Sequence, residues 1–171
     1  MGLINAAASV LLFAAAARLT GAAAPQAENP HARGEIVRFV REALRDRVLA
    51  GEIPDFTLIG DRHRLPVLAR MPAAEVWLTQ DYLPDVPDTS FELITLGDAE
   101  ARAKQTGREV VYLVVDAPRI EGDEGTITLG VDMAMPEKPG TVKLCCCTGR
   151  AQFHKAAERW VFVKWISETC S

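Results

Sequence analysis

Apolar residues recur along one stripe of the segment from Asn29 to Ala50. Ile36, Val37, Phe39, Val40, Ala43, Leu44, Val48 and Leu49 fall at helical period, while Arg38, Arg41 and Arg45 take the other side with Glu42 and Asp46 among them. Asn29-Pro30 supplies an N-cap and a first-turn proline, and Gly51 stands where a helix ends. Phe56 to Ile59 and Leu65 to Arg70 read as two short strands around the polar turn 60–64, with Pro66 pointing to a sheet edge. Residues 73–80 carry a helical turn or two, and Pro84 and Pro87 mark a loop. Phe91 to Leu96 reads as a strand, and Asp98 to Thr106 as a helix stopped by Gly107.

The last third changes period. Glu109 to Val115 is rich in β-branched residues, and Thr126 to Met135 alternates strictly. Ile127, Leu129, Val131, Met133 and Met135 share one face of that strand; Thr128, Gly130, Asp132 and Ala134 share the other. Thr141 to His154 and Arg159 to Ile166 complete a run of four sequential strands, the last two joined across Lys155 to Glu158. The order predicts an α+β fold, with an N-terminal amphipathic helix packed on a curved antiparallel sheet that ends in a four-strand meander, and helices on one face. This layout is similar in outline to the cone-shaped folds of the nuclear-transport-factor-2 type and to cystatin-like folds. The likeness is architectural, rests on no residue motif and supplies no function.

Ahead of this domain, Leu3 to Ala17 is apolar almost throughout, Arg18 breaks the run, and small residues follow to Ala24. That pattern predicts a signal peptide over 1–24, cut within 22–27, then a polar leader at 25–29 and a single domain over 30–171. The run is too short and alanine-rich for a transmembrane helix, which takes roughly twenty strongly apolar residues. The expected location is periplasmic or secreted, with no membrane span after cleavage. The formal net charge of −4 and the lack of a basic stripe exclude a nucleic-acid partner.

An oxidising compartment bears on the four cysteines, Cys145, Cys146, Cys147 and Cys170. With a four-residue hairpin loop, Phe153 would face Trp160 and Cys147 would face Ile166. Cys146 would then share a face with Val161, Val163 and Trp165, and Cys170 would bridge to Cys145 or Cys146, tying down the C-terminus. Three ligands on one strand cannot converge on a metal, so no metal site and no cofactor is expected.

Candidate chemistry is sparse. Asp61 and His63 share a turn, and a histidine beside a carboxylate can act as a general base. Asp132 lies on the small-residue face of its strand and would be a general base with a raised pKa were that face concave. Phosphate loops, nucleophile elbows and zinc-protease helices are all missing from the sequence. The other signal is the last strand, where Trp160 and Phe162 oppose Val161, Val163 and Trp165, so that both faces are apolar. A sheet with one solvated face alternates instead, so the second face calls for a cover. The sequence therefore reads as an exported domain that binds a small apolar ligand or a protein partner, with a homodimer among the options. A small cone-fold isomerase or hydrolase using Asp61, His63 or Asp132 is the alternative, and a structural envelope protein the third.

Overall fold

The computed structural model describes residues 30–70, 78–136 and 145–170. The expected signal peptide, the polar leader, positions 73–77 of the expected helical turn and positions 141–144 of the expected strand lie outside the described residues. Two helices and seven strands follow in order: α1 (Pro30–Ala50), β1 (Arg64–Arg70), β2 (Ser90–Ile94), α2 (Leu96–Thr106), β3 (Val110–Asp116), β4 (Arg119–Glu121), β5 (Glu124–Ala134), β6 (Cys147–Ala156) and β7 (Arg159–Cys170). All seven strands form one open sheet in the order β2-β1-β3-β5-β6-β7, with β4 paired to β5 beside β3.

The class is α+β and the sheet is mostly antiparallel, as the four-strand run implies: β3, β5, β6 and β7 pair antiparallel in succession. At the other end, β1 pairs parallel with both β2 and β3. Pro66 therefore sits in an interior strand, not at an edge. The ladder to β3 begins at Val67, one residue later, so the missing proline N–H falls where β1 has a neighbour on one side only. Phe56–Leu58 is a 3-10 turn instead of a strand. Ile53, Phe56 and Ile59 are all buried, and their spacing of three matches the 3-10 repeat.

The two helices lie on opposite faces of the sheet, not on one. Alternate residues of β3 separate the two layers. Leu113 and Val115 pack with Phe39, Val40, Ala43 and Leu44 of α1, whereas Tyr112 and Val114 pack with Ala99 and Ala103 of α2. On the α1 side, Phe39 meets Phe153 edge-on at 5.4 Å and Trp160 at 4.7 Å. A Cβ on Gly125 would fall 2.8 Å from the Phe39 ring, so a side chain there would displace it. Arg47 is buried on the same face. Its guanidinium lies 3.7 Å from the Phe162 ring centroid and bonds Asp46 and Glu52 at 2.6 and 2.7 Å. Polar residues of α1 also hold the last hairpin: Glu42 accepts the Trp160 backbone N–H at 2.6 Å, and Lys155 pairs with Glu35 at 2.6 Å.

α2 begins two residues before the expected start. Thr95 and Asp98 form a reciprocal capping box, the Thr95 hydroxyl accepting from the Asp98 N–H at 3.1 Å and Asp98 accepting from the Thr95 N–H at 2.9 Å. Gly107 ends the helix in the left-handed region at φ 65°.

The β6–β7 hairpin turns on two residues, Ala157 and Glu158, both at positive φ, in place of the expected four-residue loop. Such a turn suits the natural twist of a hairpin although neither residue is glycine or asparagine. Register then shifts between Arg150 and Ala151 and between Gln152 and Phe153. Each shift is a bulge that adds one residue on the β7 side. Strict pairing from Ala156↔Arg159 would set Cys147 against Glu168; the two bulges set it against Cys170.

Candidate functional site

Arg70 ends β1 on the face that carries Leu68, and Asp132 lies near the end of β5 on the same face. In the β1–β3 ladder Arg70 stands opposite Asp116, and in the β3–β5 ladder Asp132 stands opposite Tyr112. The Arg70 side chain nevertheless crosses β3, and its Nη2 donates to Asp132 Oδ2. Gly130, opposite Val114, adds no side chain to that path, and a Cβ there would fall 2.5 Å from backbone atoms of Cys147 and Thr148. The second carboxylate oxygen, Oδ1, accepts the Met133 backbone N–H at 2.7 Å. Asp132 is 9 % exposed, whereas the Arg70 side chain keeps 46 % of its surface.

Tyr112 is buried beside this pair, within hydrogen-bonding reach of Arg70. Burial, and then the charge of Asp132, push its phenol above the ordinary value of 10.0, while Arg70 works the other way. Asp116, on the other flank of Arg70, has its carboxyl raised from 3.8 by burial, with Arg70 opposing. Its Oδ1 is buried with no partner among the described residues.

Arg70, Tyr112 and Asp132 floor a cleft of about 490 Å³ between α2 and the sheet. Leu68, Leu96, Ala134 and Met135 form its apolar walls, and Glu100 lies at the rim; Met133 borders it beside Asp132 but packs its side chain on the α1 side of the sheet. Leu96 opens α2 and is about half exposed. The arrangement can hold a small body against apolar walls and present Tyr112 and Arg70 to it. It places Asp132 in a fixed ion pair.

Of the residues singled out from the sequence, Asp132 alone lies in this cleft. Asp61 and His63 sit at the opposite end of β1. Asp61 Oδ1 accepts the His63 backbone N–H at 2.9 Å, and His63 Nδ1 lies 2.9 Å from the Asp88 carbonyl oxygen. Both side chains are exposed and support a turn that positions Ser90, which donates to the His63 carbonyl through its N–H and its hydroxyl.

Val161 and Val163 are each about half exposed on the face of β7 away from α1, and Ile166 joins them. Trp165 does not, because the bulge at Val163 turns it to the α1 side, where it meets Phe162 at 5.7 Å. Cys170 joins Cys147, its partner in the shifted register, and Cys145 joins Cys146 across a cis peptide. Cys147 N–H also donates to Asp55 Oδ2 at 2.7 Å. Among the described residues no cluster of three or more His, Cys, Asp or Glu side chains could hold a metal, and no helix is long and apolar enough to cross a membrane.

Sequence reasoning missed Arg70, Tyr112, Leu96 and Asp116. The available signal was parity: Leu68 and Arg70 share one face of β1, as Tyr112, Val114 and Asp116 share one face of β3. No family model, curated protein or solved structure matches this chain.

Proposed function

We propose that this protein is a small exported binding domain, not an enzyme, and that the cleft between α2 and the sheet takes a small, largely apolar molecule. One observation carries the reading: apolar walls surround an ion pair, Arg70–Asp132, whose charges are already matched within the protein. A general base at Asp132 would need a carboxylate free to take a proton. Both of its oxygens are engaged, which supports a fixed anion that orients Arg70. Export to the periplasm or the medium belongs to the same reading and rests on the apolar run from Leu3 to Ala17. So does a cone-like outline of the sheet around α1, supported by the extra twist that two bulges give β7.

A protein partner or second copy on the outer face of β7 is the second reading, favoured by the exposure of Val161, Val163 and Ile166 together. Screening uncharged fragments by NMR separates the two. In the first reading, hits perturb Leu68, Tyr112 and Met135, and Leu96→Arg abolishes binding without lowering Tm. Hits that survive Leu96→Arg, or a screen that never perturbs these residues, would overturn it.

A further inference from the structure

We infer that the molecule taken by the α2 cleft is uncharged and carries a hydrogen-bond acceptor, the carbonyl oxygen of a ketone, ester or amide, set against Tyr112 and Arg70. This rests on the cleft being a small-molecule site and adds the chemical class of its occupant.

The hydrogen-bond inventory at the floor is one-sided. A guanidinium has five N–H donors and no acceptor, and a phenol has one donor. Arg70 gives one amino group to Asp132 and remains half exposed, so further N–H groups border the cleft. The Tyr112 oxygen lies within reach of Arg70 and can accept from it, which leaves its own proton to be donated elsewhere. A phenol keeps its proton through neutral pH in any case, and burial shifts it further that way. The floor's own carboxylate is engaged, Asp132 Oδ2 by Arg70 and Oδ1 by the Met133 N–H, while Asp116, whose Oδ1 has no partner among the described residues, lies off the cleft lining. Donors therefore exceed acceptors where a ligand would meet the floor, and a buried donor left unmatched is costly.

Charge excludes both ionic alternatives. A ligand carboxylate drawn to Arg70 would lie beside Asp132, and a ligand ammonium drawn to Asp132 would lie beside Arg70. Either would compete with a part-buried pair whose separation leaves one charge uncompensated. Glu100 stands on an exposed position of α2, where water and salt screen it. The walls, dominated by Leu68, Leu96, Ala134 and Met135, take an apolar body.

Four probes of similar size test this on the intact protein by NMR titration: acetophenone, α-methylstyrene (which replaces the C=O by C=CH2), benzoate and benzylammonium. Acetophenone should bind at the cleft about five-fold tighter than α-methylstyrene, the increment of one neutral hydrogen bond. Both ions should bind more weakly than either neutral probe. Tyr112→Phe should bring ketone and hydrocarbon within about two-fold of each other. Should that variant fail to fold, the wild-type comparison still decides. Equal binding of ketone and hydrocarbon, or tighter binding of either ion, would overturn the inference while leaving an apolar cleft standing. Failure of all four probes to perturb the cleft would overturn the site itself.

Discussion

Replacing Cys170 by serine removes a cross-link whose placement depends on the two bulges of β7. The bond joins residues separated by 23 positions, and opening a loop of that length releases about 3 kcal/mol of chain entropy in the unfolded state. For a domain of this size that corresponds to a fall in Tm of about 8–12 °C. Cys147→Ser should cost the same, and the double variant no more than either single one, because both delete one bond. Melting curves of the oxidised proteins measure the loss, and alkylation followed by mass spectrometry shows which thiol each substitution frees. In Cys147→Ser, Cys170 should become fully alkylated. If Cys170 instead stays protected there, it is bonded to Cys145 or Cys146, and the register argued from the bulges is wrong.

Other substitutions probe the packing. Gly125→Ala would push a methyl group against Phe39, itself held between Phe153 and Trp160, and should cost about 1–3 kcal/mol by denaturant melts. The Gln80 amide caps the free edge of β2, donating to the Phe91 carbonyl at 2.5 Å and accepting from the Leu93 N–H at 2.8 Å. Gln80→Ala should cost about 1 kcal/mol and speed hydrogen exchange at Leu93 above all. Asp116 has a raised folded pKa, so the native state holds its proton more tightly than the unfolded state. Its charge therefore costs stability above the folded pKa, and the cost vanishes below the unfolded value of about 3.8. Asp116→Asn should raise Tm at pH 7, with the advantage gone in melts near pH 3. Val163→Thr should change stability by less than about 0.5 kcal/mol if the outer face of β7 is open to water; a loss above about 2 kcal/mol would reveal a cover.

Local signals carried much of the architecture. The apolar stripe of α1, the stop at Gly107 and the strict alternation of β5 each write a neighbour-scale preference into consecutive residues, and the structure follows them. The parallel pairing of β1 with β2 and β3 has no such trace, because it joins segments far apart in sequence and is decided by burial on both faces. The β6–β7 register escaped for a different reason. Its turn uses Ala157 and Glu158 at positive φ, without the glycine or asparagine that announces a two-residue turn, and a bulge has no residue signature of its own. That error carried over to the side chains: it put Trp165 with Val161 and Val163, and Cys170 within reach of the wrong partners.

At the candidate site, Asp132 stood out because a carboxylate interrupts a face of small residues. Arg70 did not, because an arginine at a strand end is ordinarily solvated. Its role appears only once β1, β3 and β5 lie side by side and the guanidinium spans the middle strand. The edges of the sheet show a related economy. The Gln80 amide occupies one free edge, while bulges and Lys164 interrupt the other, so neither offers a flat ladder to another chain. This shifts attention from the edges to the faces.

Methyl NMR of the protein titrated with acetophenone puts binding in the α2 cleft to the test. The largest shifts should fall at Met135, Leu68 and Leu96, with Val161, Val163 and Ile166 unmoved. Shifts confined to Val161, Val163 and Ile166, or none anywhere at saturating probe, would contradict it.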